Sequence, residues 1–392
     1  MDEQSRIEYS KMSRRGLVSL AGAGTLAALF GNAKAFGSGA VDLSALAANG
    51  KFNPDKESGP IRIFEWEGYD AKEMWSKYTA SKYAKSSPLK FTFLQDDQQA
   101  LAKVAAGAKY DIIHPCVAYT PDWVAAGLIQ PWDTSMLPDF KGIPAAIRKG
   151  GNIGGKQYHV AFDIGFSTIV YDADAVDPAD AKSWSLYTKS KYKGKMSCFS
   201  DGVAITKIGA LINAGGPINP NKLNQAQIDA SKKTMMKVKK NLRSFWTSQT
   251  QTVNDFVNGN LIATYAWPDG YWRIKNHPKM KGRNIKYMWP AEGRLAWVCG
   301  FVLSADTKVP GRAHLAVAAA NTPKTAAWLI DAFQYSPAQG APSVRQLIKT
   351  KALIKAFSLD DPTAFAAPRA WFEVPLENRR AYVAAAEEVK AS

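Results

Sequence analysis

Residues 61–64, Ile61-Arg62-Ile63-Phe64, begin a stretch that sets the fold class. The alternation of apolar and polar residues there predicts a short strand. Met74 to Tyr83 has a helical pattern, and Leu89-Lys90-Phe91-Thr92-Phe93 alternates again. Gln98 to Ala108 predicts a second helix, with Gly107 closing it, and Asp111-Ile112-Ile113-His114 a third strand stopped by Pro115. Strands and helices that alternate this regularly mark an α/β architecture with a parallel sheet and crossover helices.

A second series follows. Strands are expected at Phe166 to Tyr171, Met196 to Phe199, Ile262 to Trp267, Tyr287 to Pro290 and Val298 to Leu303. Helices are expected at Ile205 to Ala214 and over a Lys-rich stretch from Asn224 to Asn241, and the C-terminal third reads as largely helical. Two β/α series of similar size predict two lobes with mixed sheets flanked by helices and a hinged cleft. Open α/β sheets bind ligands at the carboxyl ends of their strands. Those ends carry Trp66, Cys116, Asp201 and Trp267, which argues for one pocket served by both lobes.

The N-terminus reads as an address rather than as fold. Ser13-Arg14-Arg15-Gly16-Leu17-Val18 is followed by a weakly apolar run, Leu20 to Phe30, and by Ala33-Lys34-Ala35, an A-x-A cleavage pattern. This order resembles twin-arginine export signals, which carry folded proteins. Residues 1–35 are therefore assigned to a signal peptide, and residues 36–59, rich in Gly, Ser, Asn and Lys, to a linker. Lobe 1 is expected to comprise 60–167 and 298–340, and lobe 2 168–297 and 341–392. The mature protein is expected in the periplasm, since no other stretch is long and apolar enough to span a bilayer.

Composition narrows the function. The chain of 392 residues has a formal charge of +16, falling to +14 without residues 1–35. Basic residues are scattered, and no nucleic-acid-binding signature accompanies them, so a solvated surface is the plainer reading. There is no phosphate loop, nucleophile elbow, His-Glu-x-x-His or Cys-x-x-Cys pattern. His114 and Cys116 lie close enough for a metal or Cys/His site, but a strand-end histidine held by backbone groups is the simpler account. The three cysteines, Cys116, Cys198 and Cys299, are read as small buried apolar residues rather than as a disulfide framework. No cofactor, metal or catalytic residue is expected. The 12 Trp, 15 Tyr and 17 Phe are enough to fill cores and also to line a pocket.

Several segments, in order, resemble spermidine/putrescine-binding proteins of ABC importers. These are Ile63 to Tyr69; Tyr110 to Cys116 with Gly127 to Gln130; Ala175 to Pro178 with Ser183-Trp184 and Tyr192 to Gly194; Gly259 to Gly270; and Trp289-Pro290-Ala291-Glu292-Gly293 followed by Trp297. The resemblance covers about residues 60 to 305 and implies a two-lobed type II periplasmic-binding-protein fold. It also implies an ABC permease and ATPase as partners, a monomeric receptor reaching the membrane only through the permease, and a small cationic solute. Aromatic rings attract such cations through their π faces, and carboxylates pair with ammonium ends.

The resemblance places Trp66, Tyr69, Trp267 and Trp297 on pocket positions, with Trp371 a further candidate. The acids match less well. Asp201 falls on one family carboxylate, but Ala204, Gly68 and Cys299 stand where others belong. Cys116 replaces a pocket Ser, and Ala118 a pocket Tyr whose place Tyr119 could take. Glu65, Glu67 or Asp269 could supply a displaced carboxylate. A pocket poorer in acids suits a quaternary ammonium or betaine-like compound, and the basic charge keeps an anion open. A Tat-exported enzyme and a sensory protein on the same fold are the alternatives of another class.

Overall fold

In the computed structural model, residues 42–49, 51–340, 342–356 and 361–392 are described. The expected signal peptide lies outside them. The chain forms two units, one ending at Ile164 and resuming over Val298–Pro362, the other made of Gly165–Trp297 and Thr363–Ser392.

The first unit is built on Ile61–Glu65, which pairs in parallel with Leu89–Phe93 on one side and Ile112–Ile113 on the other. Ile112–Ile113 then pairs antiparallel with Leu303 and Val302. Ile61, Ile63 and Phe64 are fully buried, as expected of a parallel strand covered on both faces. Of the crossover helices Lys72–Thr79 and Asp97–Ala105, the first sets Trp75 against Phe91 and the second packs Ala100 and Val104 with Phe64. The second helix starts where Asp96 accepts from the Gln99 N–H, an N-cap satisfying one of the helix's orphan donors. Phe64, Ile113, Trp123, Ile129 and Val302 form one core.

The stretch assigned to a linker belongs partly to this unit. Leu43–Asn49 is a helix with Leu43 buried. The Glu57 carboxylate accepts from the N–H groups of Gly311 and Arg312 at 2.9 and 2.8 Å. A carboxylate at the start of the helix Pro310–Ala320 complements its dipole, and that fastens the segment down.

The second unit has its own sheet. Met196–Phe199 pairs in parallel with Leu242–Trp246 and with Ala263–Ala266. Ala263–Ala266 runs antiparallel to residues 168–171, and Ile285–Tyr287 antiparallel to residues 170–172. Helices Gly202–Ala214, Gln225–Lys239 and Arg379–Ala391 pack together beside it. Asn224 begins the second of these with a full capping box to Gln227.

Two crossings differ from expectation. Those placed at 167/168 and 340/341 fall at 164/165 and 362/363. The later one moves because the helices Pro342–Leu347 and Lys351–Ala356 stay with the first unit, where the Lys349 and Thr350 N–H groups donate to Asp331, both at 3.0 Å. Among the described residues no helix is long and apolar enough to cross a membrane.

Candidate functional site

The first unit brings Trp66, Tyr69 and His114 together at the ends of neighbouring strands. Trp66 follows the strand Ile61–Glu65 directly and is half-buried. Its backbone N–H donates to Glu65 Oε1 at 2.9 Å, and its indole N–H donates to the His114 carbonyl at 2.8 Å. Both ends of the residue are thereby fixed. Glu67 is exposed. Tyr69 is buried: its hydroxyl donates to Asp163 Oδ2, and its ring meets His114 edge-on at 5.2 Å.

Beneath these rings lies a charged cluster. His114 Nδ1 donates to Glu65 Oε1 at 2.5 Å, and Nε2 faces Asp163 Oδ1 at 3.3 Å. All three side chains are essentially inaccessible. Burial alone pulls the His114 pKa down. The Glu65 charge and the hydrogen bonds to Asp163 and Glu65 outweigh burial and hold it up at about 10. Burial pushes the Glu65 carboxyl up, with the His114 charge and hydrogen bond opposing. The imidazole is thus an imidazolium at neutral pH, between two carboxyl groups. The expectation of a histidine held by backbone groups is corrected for His114, because its partners are side-chain acids.

The cysteines also depart from expectation. Cys116 and Cys299 face each other across an isolated antiparallel bridge and form a disulfide, so neither offers a thiol to a ligand. The Cys116 N–H donates to Asp97 Oδ1 at 2.7 Å. Cys198 is the buried free cysteine among the described residues. Tyr119 packs into the core with Phe64 and Trp123, which takes its ring away from a pocket role.

The second unit holds its candidates differently. Trp267 is half-buried between the strand Ala263–Ala266 and the helix Pro268–Lys275. It meets Phe199 at 5.1 Å and Trp246 at 5.4 Å, both edge-on, a favoured aromatic geometry. Its backbone N–H donates to Gln249 Oε1 at 3.0 Å. Asp269 accepts from Gln249 Nε2 and lies 3.8 Å from Arg273. Asp201 accepts from the Ala204 N–H at 2.7 Å as the N-cap of Gly202–Ala214. Trp297 is buried where a pocket-facing ring was expected, its indole covering Gly165, where a Cβ would overlap the ring. Trp371 is half-buried and donates its indole N–H to the Glu292 carbonyl at 2.7 Å.

Arg294 went unnoticed in the sequence. Its guanidinium is 3.5 Å from the Trp289 ring centroid and 4.6 Å from that of Tyr287, and it donates to the Met288 and Tyr287 carbonyls. Trp289 is 42% exposed. Asp163 carries a signal in the sequence, a charged residue inside an apolar strand run, whereas Glu65 and Arg294 stand at the last and first positions of theirs. Among the described residues no group of three or more His, Cys, Asp or Glu is arranged to hold a metal ion.

Comparison with solved structures identifies the class first. The spermidine/putrescine ABC transporter substrate-binding protein PotD from Streptococcus pneumoniae matches with a TM-score of 0.64 at 16% identity, over 85% of this chain and 98% of that one. The PBP MotA from A. tumefaciens B6, in complex with glucopine, matches with a TM-score of 0.70 at 16% identity, over 85% and 100%. The fold is the type II periplasmic-binding-protein fold.

Residues 51–356 match the family model of bacterial extracellular solute-binding proteins, and the chain belongs to that family. Among curated relatives, the putrescine-binding periplasmic protein PotF of Escherichia coli (strain K12) is 25% identical over 70% of this chain and 74% of its own length. The putrescine/agmatine-binding protein of Pseudomonas aeruginosa is 26% identical over 65% and 71%.

Proposed function

We propose that this chain is the extracytoplasmic capture subunit of an ABC importer, exported by the twin-arginine route, and that its solute is a small organic cation of the polyamine type. It acts by binding and not by catalysis. Trp66 in the first unit and Trp267 in the second are the proposed ring contacts. Glu67, Asp201 and Asp269 are the proposed acids, and Tyr69, Trp297 and Trp371 shape the surroundings.

The observation that carries this reading is the placement of half-buried indoles at strand ends, each held by hydrogen bonds or by edge-on rings. Indole faces attract desolvated cations by up to about 2 kcal/mol. The names of the curated relatives, which bind putrescine or agmatine, support the same solute class.

A second reading has its own support. Asp201 caps a helix, and Asp269 is engaged by Gln249 and Arg273, so both acids already answer to protein donors. A quaternary ammonium needs π faces and no hydrogen-bond acceptor. Calorimetric titration with putrescine, spermidine, choline and glycine betaine separates the two. Tight binding of a diamine selects the polyamine reading, and binding of choline or betaine alone selects the other. Export is tested by replacing Arg14 and Arg15 with Lys, which should leave the protein in the cytoplasm.

A further inference from the structure

We propose that His114, clasped between Glu65 and Asp163, is a positioning residue that sets the Trp66 indole for its solute, with Tyr69 locked into the same network. The inference rests on the proposed role of Trp66 as a ring contact.

The connections run through hydrogen bonds alone. Glu65 Oε1 takes both the His114 imidazole and the Trp66 backbone N–H, at 2.5 and 2.9 Å. The His114 carbonyl takes the indole N–H at 2.8 Å. One residue therefore reaches Trp66 twice, through its own backbone and through the carboxylate it pairs with. Asp163 holds the far side of the imidazole and also the Tyr69 hydroxyl.

The Trp75 indole N–H donates to the Tyr69 carbonyl at 2.8 Å, which pins the loop from the other end. Phe162 and Phe301 pack against the imidazole at 5.8 and 4.8 Å. In that apolar shell each remaining bond is stronger, and each missing partner costlier, than at a surface.

Glu65 Oε1 can hold Trp66 only while it remains an aligned acceptor, and the imidazolium is what keeps a buried carboxylate in place. Neutralising or deleting His114 frees Glu65 to turn and so loosens the backbone anchor of Trp66, leaving the indole held by the main-chain carbonyl alone. The ionisable groups facing His114 are Glu65 on its strand, Tyr69 on the loop, Asp163 and His159 on the strand His159–Asp172, and Tyr335, which adjoins Tyr69. His159 donates to the Pro115 carbonyl, and burial holds its pKa down to about 3, so it stays neutral.

The test uses the full mature chain labelled with 5-fluorotryptophan, the Trp66 signal being assigned with Trp66→Phe. In the wild type that signal shifts between about pH 8 and 11, bracketing the His114 value of about 10. In His114→Gln it lies elsewhere and no longer follows pH. On the same proteins, calorimetry with putrescine should show a loss of about tenfold for His114→Gln, the scale of a lost charged hydrogen bond. Combination with Trp66→Phe should add little further loss, since the two residues act as one.

If His114→Gln does not fold, Asp163→Asn, close in shape, is put through the same readouts. A Trp66 signal indifferent to these substitutions and to pH overturns the proposal, as do fully additive losses. If the wild type binds no amine, the solute assignment fails, and the fluorine signal still decides whether His114 positions Trp66.

Discussion

The two units hold their candidate tryptophans by opposite means. In the first, Trp66 hangs from a buried ionic cluster of Glu65, His114 and Asp163. In the second, Trp267 leans on Phe199 and Trp246. An ionic anchor is directional and fails abruptly when one partner goes, because the others are left buried and uncompensated. An aromatic anchor is worth about 0.5–1.5 kcal/mol per ring pair beyond area burial and changes by degrees. The first unit should therefore be sensitive to charge and pH, and the second to ring volume.

The largest expected effect comes from the covalent bond confined to the first unit. Cys116 and Cys299 are 183 residues apart and close a loop that contains residues 165–297 of the second unit, and losing a native disulfide typically costs about 2–5 kcal/mol. Replacing both with Ala should lower the urea midpoint of the first unit and leave that of the second unchanged. An unmoved first transition would remove the disulfide from the account.

Next are two substitutions of buried charge. His114→Leu leaves Glu65 and Asp163 without their cation and should cost the first unit about 3–5 kcal/mol. Lys207 is the counterpart in the second unit. It is fully buried, with Glu373 and Asp201 nearby, and burial pulls its pKa below 10.5. Lys207→Met removes a poorly solvated ammonium for a chain of similar volume, and because Glu373 and Asp201 are only half-buried it should cost the second unit less than His114→Leu costs the first. Equal losses in both variants would erase the contrast.

The pH profile sharpens the comparison. The His114 pKa is raised from 6.5 to about 10. Its contribution is therefore complete below pH 6.5 and disappears as pH rises through about 10. Lys207 is shifted the other way, so its penalty is relieved as pH climbs toward its ordinary 10.5. Over that alkaline range the first unit should weaken and the second should gain, as read by melting temperature at each pH. His114→Gln should flatten the first trend.

The smallest effects are on solute binding. Trp66→Ala and Trp267→Ala should each weaken putrescine binding by about 3- to 30-fold, the range of a desolvated cation–π contact. No change in either variant would remove that ring from the site.

Sequence patterns revealed the two β/α series well because short parallel strands are apolar runs bounded by breakers. The long strands His159–Asp172 and Arg294–Ser304 were read too short, as Phe166 to Tyr171 and Val298 to Leu303. Every residue in both is buried, so no period-two alternation exists. Asp163, Gly165, Arg294 and Gly300 also look like interruptions. Leu242–Trp246 was missed because it follows directly on the Lys-rich helix. Trp66 and Trp267 stand out as proposed contacts because each directly follows a strand, and Asp201 because it lies two residues past one. The ionic partners could not be found that way: His114 is 49 positions from Glu65, and Asp163 is 49 positions from His114. The disulfide was hidden for the same reason. Three cysteines with no local spacing say nothing about which two meet, and only the sheet brings Cys116 opposite Cys299.

Amine capture is decided by calorimetric titration of the purified mature chain with putrescine and spermidine at neutral pH. Saturable one-to-one binding of an amine is expected, weaker in both Trp66→Ala and Trp267→Ala. Absence of heat with every amine and quaternary ammonium, together with saturable binding of an anionic solute, would contradict it.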